Sequence, residues 1–482
     1  MNRTQETAQR ILQEILEGVR ELTEEAIRTL LQEDPDAAVL LILEAARRLK
    51  EALAAQQTKK VSTPSGMIPP YEKPAKPKKE KKRGQKLGHP GTCRKPPAEI
   101  TQRIQHPPLD ICPNCGGPVT PCQSPKAQRT RVIEDIPAQI EPEVTEHEIL
   151  RSYCPHCRKL VEPKVEDALP NATLGNRVLA LSAHWHYGLG MPSRQIADIL
   201  NDHLNTTVSL GGLFDMWKRL ADWLQPWYDQ LIDVMLECAV LFADETGWRV
   251  NGKTYWLWCF TNENATFYMI HPSRGDPALF EFFRDTFSGV LVSDFWACYA
   301  HINTTHQYCL AHLLRELKKV DGTNASPAWT EFSKKAKRLF GDALRLYHRD
   351  GYDPQQFQSR IDRLYERLID LMLIQSTDKD VRRIAARLEK YWDELLVFLT
   401  HPGVPPTNNH GEREIRLAVI MRKMMQGNQS ERGAKTQSIL MTIFRTLKRR
   451  GYNPVSTVVD ALKTAIRTGQ LPPLPPPLPS NA

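Results

Sequence analysis

Residues 239–247 read Ala-Val-Leu-Phe-Ala-Asp-Glu-Thr-Gly: five apolar residues that run without interruption into two carboxylates. An apolar run this short, closed by turn-forming residues, reads as a buried strand, here ending at Asp244. On its C-terminal side, KTYWLWCFTN (253–262) and ATFYMIHP (265–272) read as two more strands, and Pro277 to Phe287 as a helix. Gly289-Val-Leu-Val-Ser293 is a second apolar strand, ending at Asp294. HQYCL (306–310) is a third short one, leading into a helix at 311–319.

The resulting order, three strands, a helix, a strand and a helix, is that of a ribonuclease-H-like domain. In that arrangement the strands bearing Asp244 and Asp294 are neighbours, so the two carboxylates can meet at one edge. Hard oxygen ligands with open positions suit Mg²⁺. A third carboxylate would complete a two-metal site for phosphoryl transfer. The candidates lie in Pro405-Pro-Thr-Asn-Asn-His-Gly-Glu412-Arg-Glu414-Ile-Arg416. On a helix Asn408, Glu412 and Arg416 share a face, whereas Glu414 points nearly the opposite way, so only one glutamate can serve the site.

The chain has 482 residues, enough for about three domains. Hydrophobic residues are 41% and charged residues 25%, a globular balance that excludes wholesale disorder. The longest apolar run, Ala37 to Leu43, is too short to span a bilayer, and the polar start MNRTQETAQR carries no secretory pattern, so a cytoplasmic, nucleoid-associated protein is expected. The net charge of +8 is modest, but KPAKPKKEKKRGQK gathers positive charge in a proline-rich stretch that could track DNA phosphates.

Ten cysteines are too few for a disulfide scaffold. Four form two knuckles, Cys112-Pro-Asn-Cys115 and Cys154-Pro-His-Cys157, whose thiolates suit one closed, structural Zn²⁺ site of zinc-ribbon type. Cys122 and His156 are spare ligands. The alternating segment Arg131 to Tyr153 reads as a hairpin between the knuckles. Leu174–Leu189, a helix from Pro192-Ser193 and a third capped by Ser209 fit a helix-turn-helix or a plain helical connector.

The fold class expected is multidomain α+β and α/β. Residues 1–56 form N-terminal helices, a possible oligomerisation element; 57–100 a basic, proline-rich linker; 101–170 the zinc ribbon; and 171–235 a helix-turn-helix-like, DNA-binding region. A ribonuclease-H-like catalytic core at 236–320 and 405–468 is interrupted by an all-helical insertion at 321–404. Residues 469–482 form a disordered, proline-rich tail.

ADETGW (243–248), VSDFWACY (292–299), CLAHLLRE (309–316), TNNHGEREIR (407–416), IMRKMM (420–425), GYNP (451–454) and RGQKLGHPG (83–91) before the CxxC pairs resemble the DDE transposases of the insertion sequence 66 family. The resemblance covers nearly the whole chain, with the motifs in the family's order. It implies an enzyme that binds the ends of an insertion sequence and performs metal-dependent DNA cleavage and strand transfer. Asp244, Asp294 and Glu412 would be the catalytic triad, holding Mg²⁺ or Mn²⁺. It also implies that Cys309 and His312, a CxxH element, buttress a helix, that Asn408 and Asn409 support the site, and that Glu245 is local support. Arg413, Arg416, Arg422 and Lys423 could hold DNA phosphates or form a solvated face. A transposase of this chemistry pairs two ends, so at least a homodimer is expected, with accessory proteins of the element as further partners. The alternatives are a catalytically inactive, transposase-derived DNA-binding protein, and a ribonuclease-H-type nuclease that cleaves without joining.

Overall fold

The computed structural model describes residues 97–479 apart from 98, 108, 121–129, 138, 139, 285, 286, 350 and 352, together with residues 32, 35, 38 and 39. Most of the basic linker, Cys122 and nearly all of the N-terminal helices therefore lie outside the described residues; Gln32, Pro35, Ala38 and Val39 are helical. Contacts divide the chain into two units, residues 1–134 and 135–482. In the first, Cys112 and Cys115 sit on a tight turn closed by Gly116 N–H to Cys112 O at 2.9 Å and Cys112 N–H to Gly117 O at 2.8 Å. Gly116 takes a φ of +71°, which glycine reaches without a Cβ clash.

The second unit begins with a small antiparallel hairpin, β1 (Ser152–Cys154) and β2 (Lys159–Val161), that carries the Cys154–Cys157 knuckle. The longer hairpin read over 131–153 is not formed: its described residues before Ser152 make no strand, and Val132, Ile133, Ile136, Val144 and Leu150 are exposed. Alternation there meets no sheet partner among the described residues, and Pro137 and Pro142 can donate no ladder bonds.

Helices follow at α1 (Asn176–Ala183), continued by a wider π turn to Gly188, α2 (Ser193–Asp198) and α3 (Leu210–Leu236). Ser209 caps α3 by accepting from Gly212 N–H at 3.1 Å. At 27 residues α3 is far longer than the short helix read there, and it buries Leu213, Trp217, Leu220 and Leu224 along its length.

The central sheet contains β3 (Val240–Val250), β4 (Lys253–Thr261), β5 (Thr266–His271), β6 (Val290–Ser293) and β7 (Thr305–Tyr308), with α4 (Asp276–Phe283) between β5 and β6. The spatial order is β5-β4-β3-β6-β7. β3–β4 and β4–β5 are antiparallel; β3–β6 and β6–β7 are parallel. The first strand does not stop at Asp244. It continues six residues further, paired with β4, whereas its pairing with β6 covers only Val240 to Phe242.

After β7 come α5 (Leu310–Asp321) and the inserted helices α6 (Pro327–Tyr347), α7 (Pro354–Met372), α8 (Lys379–Lys390) and α9 (Val397–Thr400). The chain then returns through α10 (Asn409–Met425), α11 (Glu431–Arg449) and α12 (Pro454–Thr468). Side chains alternate across a strand, so the sheet has a core on each face. Leu241, Ala243 and Leu291 join α3, α11 and α12 on one side. Phe242, Val290, Val292 and Tyr308 join α5 and the insertion on the other. In α6 the apolar stripe Trp329, Phe332, Ala336, Leu339, Phe340 and Ala343 is buried as its spacing indicates. In α7 Ile361, Leu364, Leu368 and Leu371 are buried, with Phe357 at the margin.

Both rims of the sheet are covered. On the β5 rim, Thr266, Tyr268 and Ile270 donate their N–H groups to the hydroxyls of Thr446 (3.1 Å), Thr442 (2.9 Å) and Ser438 (3.1 Å) on α11. Two residues of strand advance about 6.6 Å and four residues of helix about 6 Å, so the two series stay in register. At the β7 rim, Gln307 donates to Leu395 O at 3.3 Å and accepts from Phe398 N–H at 2.9 Å.

The proline-rich tail is not disordered over its described residues. Leu474 is buried, and the carbonyls of Pro472, Pro475 and Pro476 accept from Trp227 Nε1 (2.6 Å), Arg450 Nη1 (2.6 Å) and Tyr452 Oη (2.9 Å). Proline lacks the N–H but keeps its carbonyl, so an extended proline run can dock through acceptors alone. No described helix is long and apolar enough to cross a membrane.

Candidate active site

Strand parity places the first two acids. Asp244 is two residues beyond Phe242 and Asp294 two beyond Val292, both of which face the α5 side of the sheet. The parallel pairing ends at Phe242 and Val292, so the two aspartates flank the point where β6 stops. Glu245, of opposite parity, turns to the other face. There it accepts from Arg274 Nε (3.1 Å) and Nη2 (2.9 Å) and from Tyr299 Oη (2.6 Å). Arg274 is itself held between Trp296, at 3.8 Å from the ring centre, and Trp256, at 4.5 Å.

The chain crossings around the acids are tied by hydrogen bonds. Cys309 N–H donates to Ser293 O at 2.9 Å, and Leu310 N–H to Pro406 O at 3.0 Å. Asn408 N–H donates to Cys309 Sγ at 3.1 Å, and its side-chain amide to Ala243 O at 2.7 Å. Asn408 therefore joins the strand of Asp244 to the start of α10; it stands just before that helix, at the N-cap position, rather than within it. Asn409 is the exposed first residue of α10. His410 stacks on Phe242 with ring centres 4.7 Å apart, and its Nε2 lies 3.0 Å from Asn262 O.

The two glutamates of α10 part company. Glu412, in the first turn and about a third exposed, accepts from Arg315 Nη2 at 3.1 Å and lies 3.6 Å from His312 Nε2. Glu414 is buried and clamped between Arg445 (2.7 Å) and Arg449 (2.5 Å). Burial pushes the Glu414 carboxyl up, but the two guanidiniums outweigh it and leave its pKa below the ordinary value.

Asp244 has no such clamp. Burial first, then the negative charges of Glu245 and Asp294 and, more weakly, Glu412, hold its pKa well above the ordinary carboxylate range; one N–H, from Glu245 at 2.9 Å, opposes them. Asp294 Oδ1 accepts from Trp296 N–H at 2.9 Å. Repulsion between close carboxylates is what a divalent cation relieves, and carboxylate oxygens are the hard donors that Mg²⁺ or Mn²⁺ takes.

Among the described residues, one three-residue group brings all its ligand atoms within 4.8 Å of one another: Cys309, His312 and Glu412. Asp244 and Asp294 are not part of it. Burial and, to a lesser degree, Arg315 lower the His312 pKa, against the raising charges of Asp294 and Glu412. His312 thus feels the charges of both Asp294 and Glu412. This grouping is legible in sequence only as the CxxH spacing, because Glu412 arrives from a hundred residues beyond His312.

Of the four basic residues on α10, Arg413, Arg416 and Lys423 are exposed. Arg422 is half-buried, donating to Thr246 Oγ1 at 2.8 Å and Gly247 O at 2.5 Å, which ties α10 to β3. In each knuckle, backbone N–H groups lower one thiol pKa: those of Asn114 and Cys115 act on Cys112, and those of Cys157 and His156 on Cys154. Such turns favour the thiolate, the metal-binding form.

Residues 171–436, more than half of the chain, match the transposase IS66 family. The chain belongs to that family. Among curated proteins, this IS66-family chain is 24% identical over 331 residues to uncharacterized protein y4jD of Sinorhizobium fredii, covering 61% of the chain and 63% of that protein. Uncharacterized protein y4qI of the same organism is 25% identical over 331 residues, 62% and 60% of the respective lengths. Uncharacterized protein y4hP is 22% identical over 402 residues, 75% and 71%. The IS66-family chain thus spans about three fifths of the length of the first two.

Proposed function

We propose that this chain is a transposase that binds the ends of an insertion sequence, cleaves the DNA there and joins the freed ends to target DNA. The reading is supported by the placement of Asp244 and Asp294 where the β3–β6 pairing ends, with Glu412 in the first turn of a helix that Asn408 ties to the strand of Asp244, within a chain of this family. The strand order, with the long β3 between an antiparallel and a parallel neighbour, supports a ribonuclease-H-like catalytic domain over 236–320 and 405–468, with 321–404 as its helical insertion. The helices of 327–400 pack on the α5 face of the sheet, apart from α3, α11 and α12 on the other, which supports that division.

Asp244, Asp294 and Glu412 would hold the catalytic Mg²⁺ or Mn²⁺, which supplies activation of a water and neutralises charge gathering on the phosphodiester. Asp244 and Asp294 are fixed by the strands that bear them, whereas Glu412 comes from the first turn of a helix anchored by Asn408 and Arg422. The attack of water releases a 3′-OH, which then attacks the target phosphodiester. No protein nucleophile is required, because the acids act by position and charge. Exposed Arg413 and Arg416 near Glu412, and Lys423 about three turns further along α10, are proposed to hold phosphates, and Arg422 to keep α10 against β3.

Cys112, Cys115, Cys154 and Cys157 are proposed to hold one structural Zn²⁺ as a zinc ribbon. Their spacing and the thiolate-favouring turns support this. Residues 171–235 are proposed as a DNA-binding region, and residues 1–56 as the contact between copies in a dimer or larger assembly. Accessory proteins of the element are further proposed partners.

The test is a strand-transfer assay with purified protein, Mg²⁺ and DNA carrying the element's ends. Wild type is expected to join ends, and Asp244→Ala, Asp294→Ala and Glu412→Gln to bind ends without cutting them. Strand transfer retained in any of these variants refutes the triad; nicked but never joined wild-type products favour a nuclease instead.

A further inference from the structure

The sulfur and the imidazole beside Glu412 have no part in the DNA chemistry above. Mg²⁺ selects hard oxygen donors, whereas thiolate and imidazole select softer ions such as Zn²⁺. Cys309 Sγ, an imidazole nitrogen of His312 and a carboxylate oxygen of Glu412 all lie within 4.8 Å of one another. We propose that these three side chains form a site for a thiophilic divalent cation of the Zn²⁺ type, and that such an ion competes with the catalytic ions for Glu412. The second half rests on the assignment of Glu412 as the third acid; the first half does not.

The geometry is close to what such an ion needs. Tetrahedral zinc, bound at about 2.0–2.3 Å, sets its ligand atoms about 3.5 Å apart, so roughly an ångström of closure is required. Two of the ligands are already held. Cys309 is fully buried at the start of α5, pinned by its N–H bond to Ser293 O and by the Asn408 N–H on its sulfur. His312 sits one helical turn on, and its ring has unspent capacity: Nδ1 is buried without a hydrogen-bond partner, and Nε2 is 3.6 Å from Glu412, beyond hydrogen-bond length. Glu412, about a third exposed in the first turn of α10 and tied through a surface pair with Arg315, is the ligand best able to move. Three protein ligands leave a fourth position open, which marks an exchangeable ion rather than a closed structural one. Glu412 is then shared. Turned toward Cys309 and His312 it completes the soft site; turned toward Asp244 and Asp294 it completes the hard one.

The test uses the full chain with Co²⁺ as a spectroscopic stand-in for Zn²⁺, comparing wild type with Cys309→Ser and His312→Gln. Binding stoichiometry and thiolate-to-Co²⁺ absorbance are read beside circular dichroism. Each variant is expected to lose one equivalent of Co²⁺ relative to wild type while keeping the ribbon cysteines' share. Equal stoichiometry and absorbance in wild type and both folded variants overturns the site. His312→Gln, on a partly exposed position, decides the matter if Cys309→Ser does not fold. In Mg²⁺-dependent end cleavage, added Zn²⁺ is expected to suppress wild type and to spare the variant that has lost the site. Equal suppression of both overturns the competition. Wild type that cuts no DNA would count against the proposed activity on which the competition rests, while the Co²⁺ comparison still judges the site.

Discussion

Glu412 and Glu414 lie two residues apart and are expected to fail in opposite ways when changed to glutamine. Glu414 is 6% exposed and receives Arg445 and Arg449 at 2.7 and 2.5 Å. Removing one partner of a buried ion pair costs about 3–5 kcal/mol, because the remaining charges stay buried. The glutamine amide still offers one acceptor, so the lower end applies, about 3 kcal/mol, more than a hundredfold in the folding constant. Glu412 is about a third exposed, and its pair with Arg315 is a surface one, so Glu412→Gln should change stability by less than about 1 kcal/mol. Urea unfolding followed by circular dichroism, run beside end cleavage on the same preparations, separates them. Glu414→Gln should unfold early and, while folded, still cleave; Glu412→Gln should unfold like wild type and not cleave. The pH dependence has a defined sign. The folded pKa of Glu414 is lowered, so its stabilisation is present above the unfolded value and is lost as pH falls through the folded one. The gap between wild type and Glu414→Gln should therefore close below about pH 4. An unfolding midpoint unchanged in Glu414→Gln, with cleavage abolished, would show that the wrong glutamate has been put in the site.

Three further outcomes follow from other parts of the chain. Without divalent ions, Asp244→Asn should be more stable than wild type at pH 7: the raised folded pKa means the native state holds the proton more tightly, so wild-type stability falls as pH rises between the unfolded and folded values. Thermal melts should show that difference vanish once pH drops below the unfolded value, and Mg²⁺ should raise the midpoint of wild type more than that of the variant; a variant less stable at every pH contradicts the repulsion argument. Thr442→Val leaves the Tyr268 N–H without its acceptor and should cost about 1–3 kcal/mol in urea unfolding. If one zinc ion uses both knuckles, as proposed, Cys112→Ser and Cys154→Ser should each lower bound zinc by the same amount in elemental analysis; loss in only one of them breaks the ribbon assignment.

The strand bearing Asp244, its neighbour bearing Asp294 and the divergence of Glu412 from Glu414 were legible because each follows from a short local period, two in strands and 3.6 in helices. The same reasoning placed the first strand's end six residues too early. Residues 245–250 form an antiparallel ribbon with β4 beyond the reach of β6, and a carboxylate pair inside a strand looks locally like a turn. The alternation in 131–153 gave a hairpin that the chain does not form, since a period of two reports a preference for pairing and not the presence of a partner. The disordered-tail reading fails for the converse reason: the tail's carbonyls find donors on Trp227, 245 residues away, and on Arg450 and Tyr452, 25 and 24 residues away, which local composition does not show. The Cys309, His312 and Glu412 group was half visible, as a spacing without its third member.

The hydroxyl series on α11 has a bearing on how copies of this chain can join. An uncovered sheet rim is an invitation to extend the sheet into a neighbouring molecule. Here Thr446, Thr442 and Ser438 already occupy the donors of the β5 rim, and Gln307 with residues 395–398 stands against the β7 rim. If two copies join, as proposed, the five-stranded sheets would not merge edge to edge, and each would stay a finished, separate body.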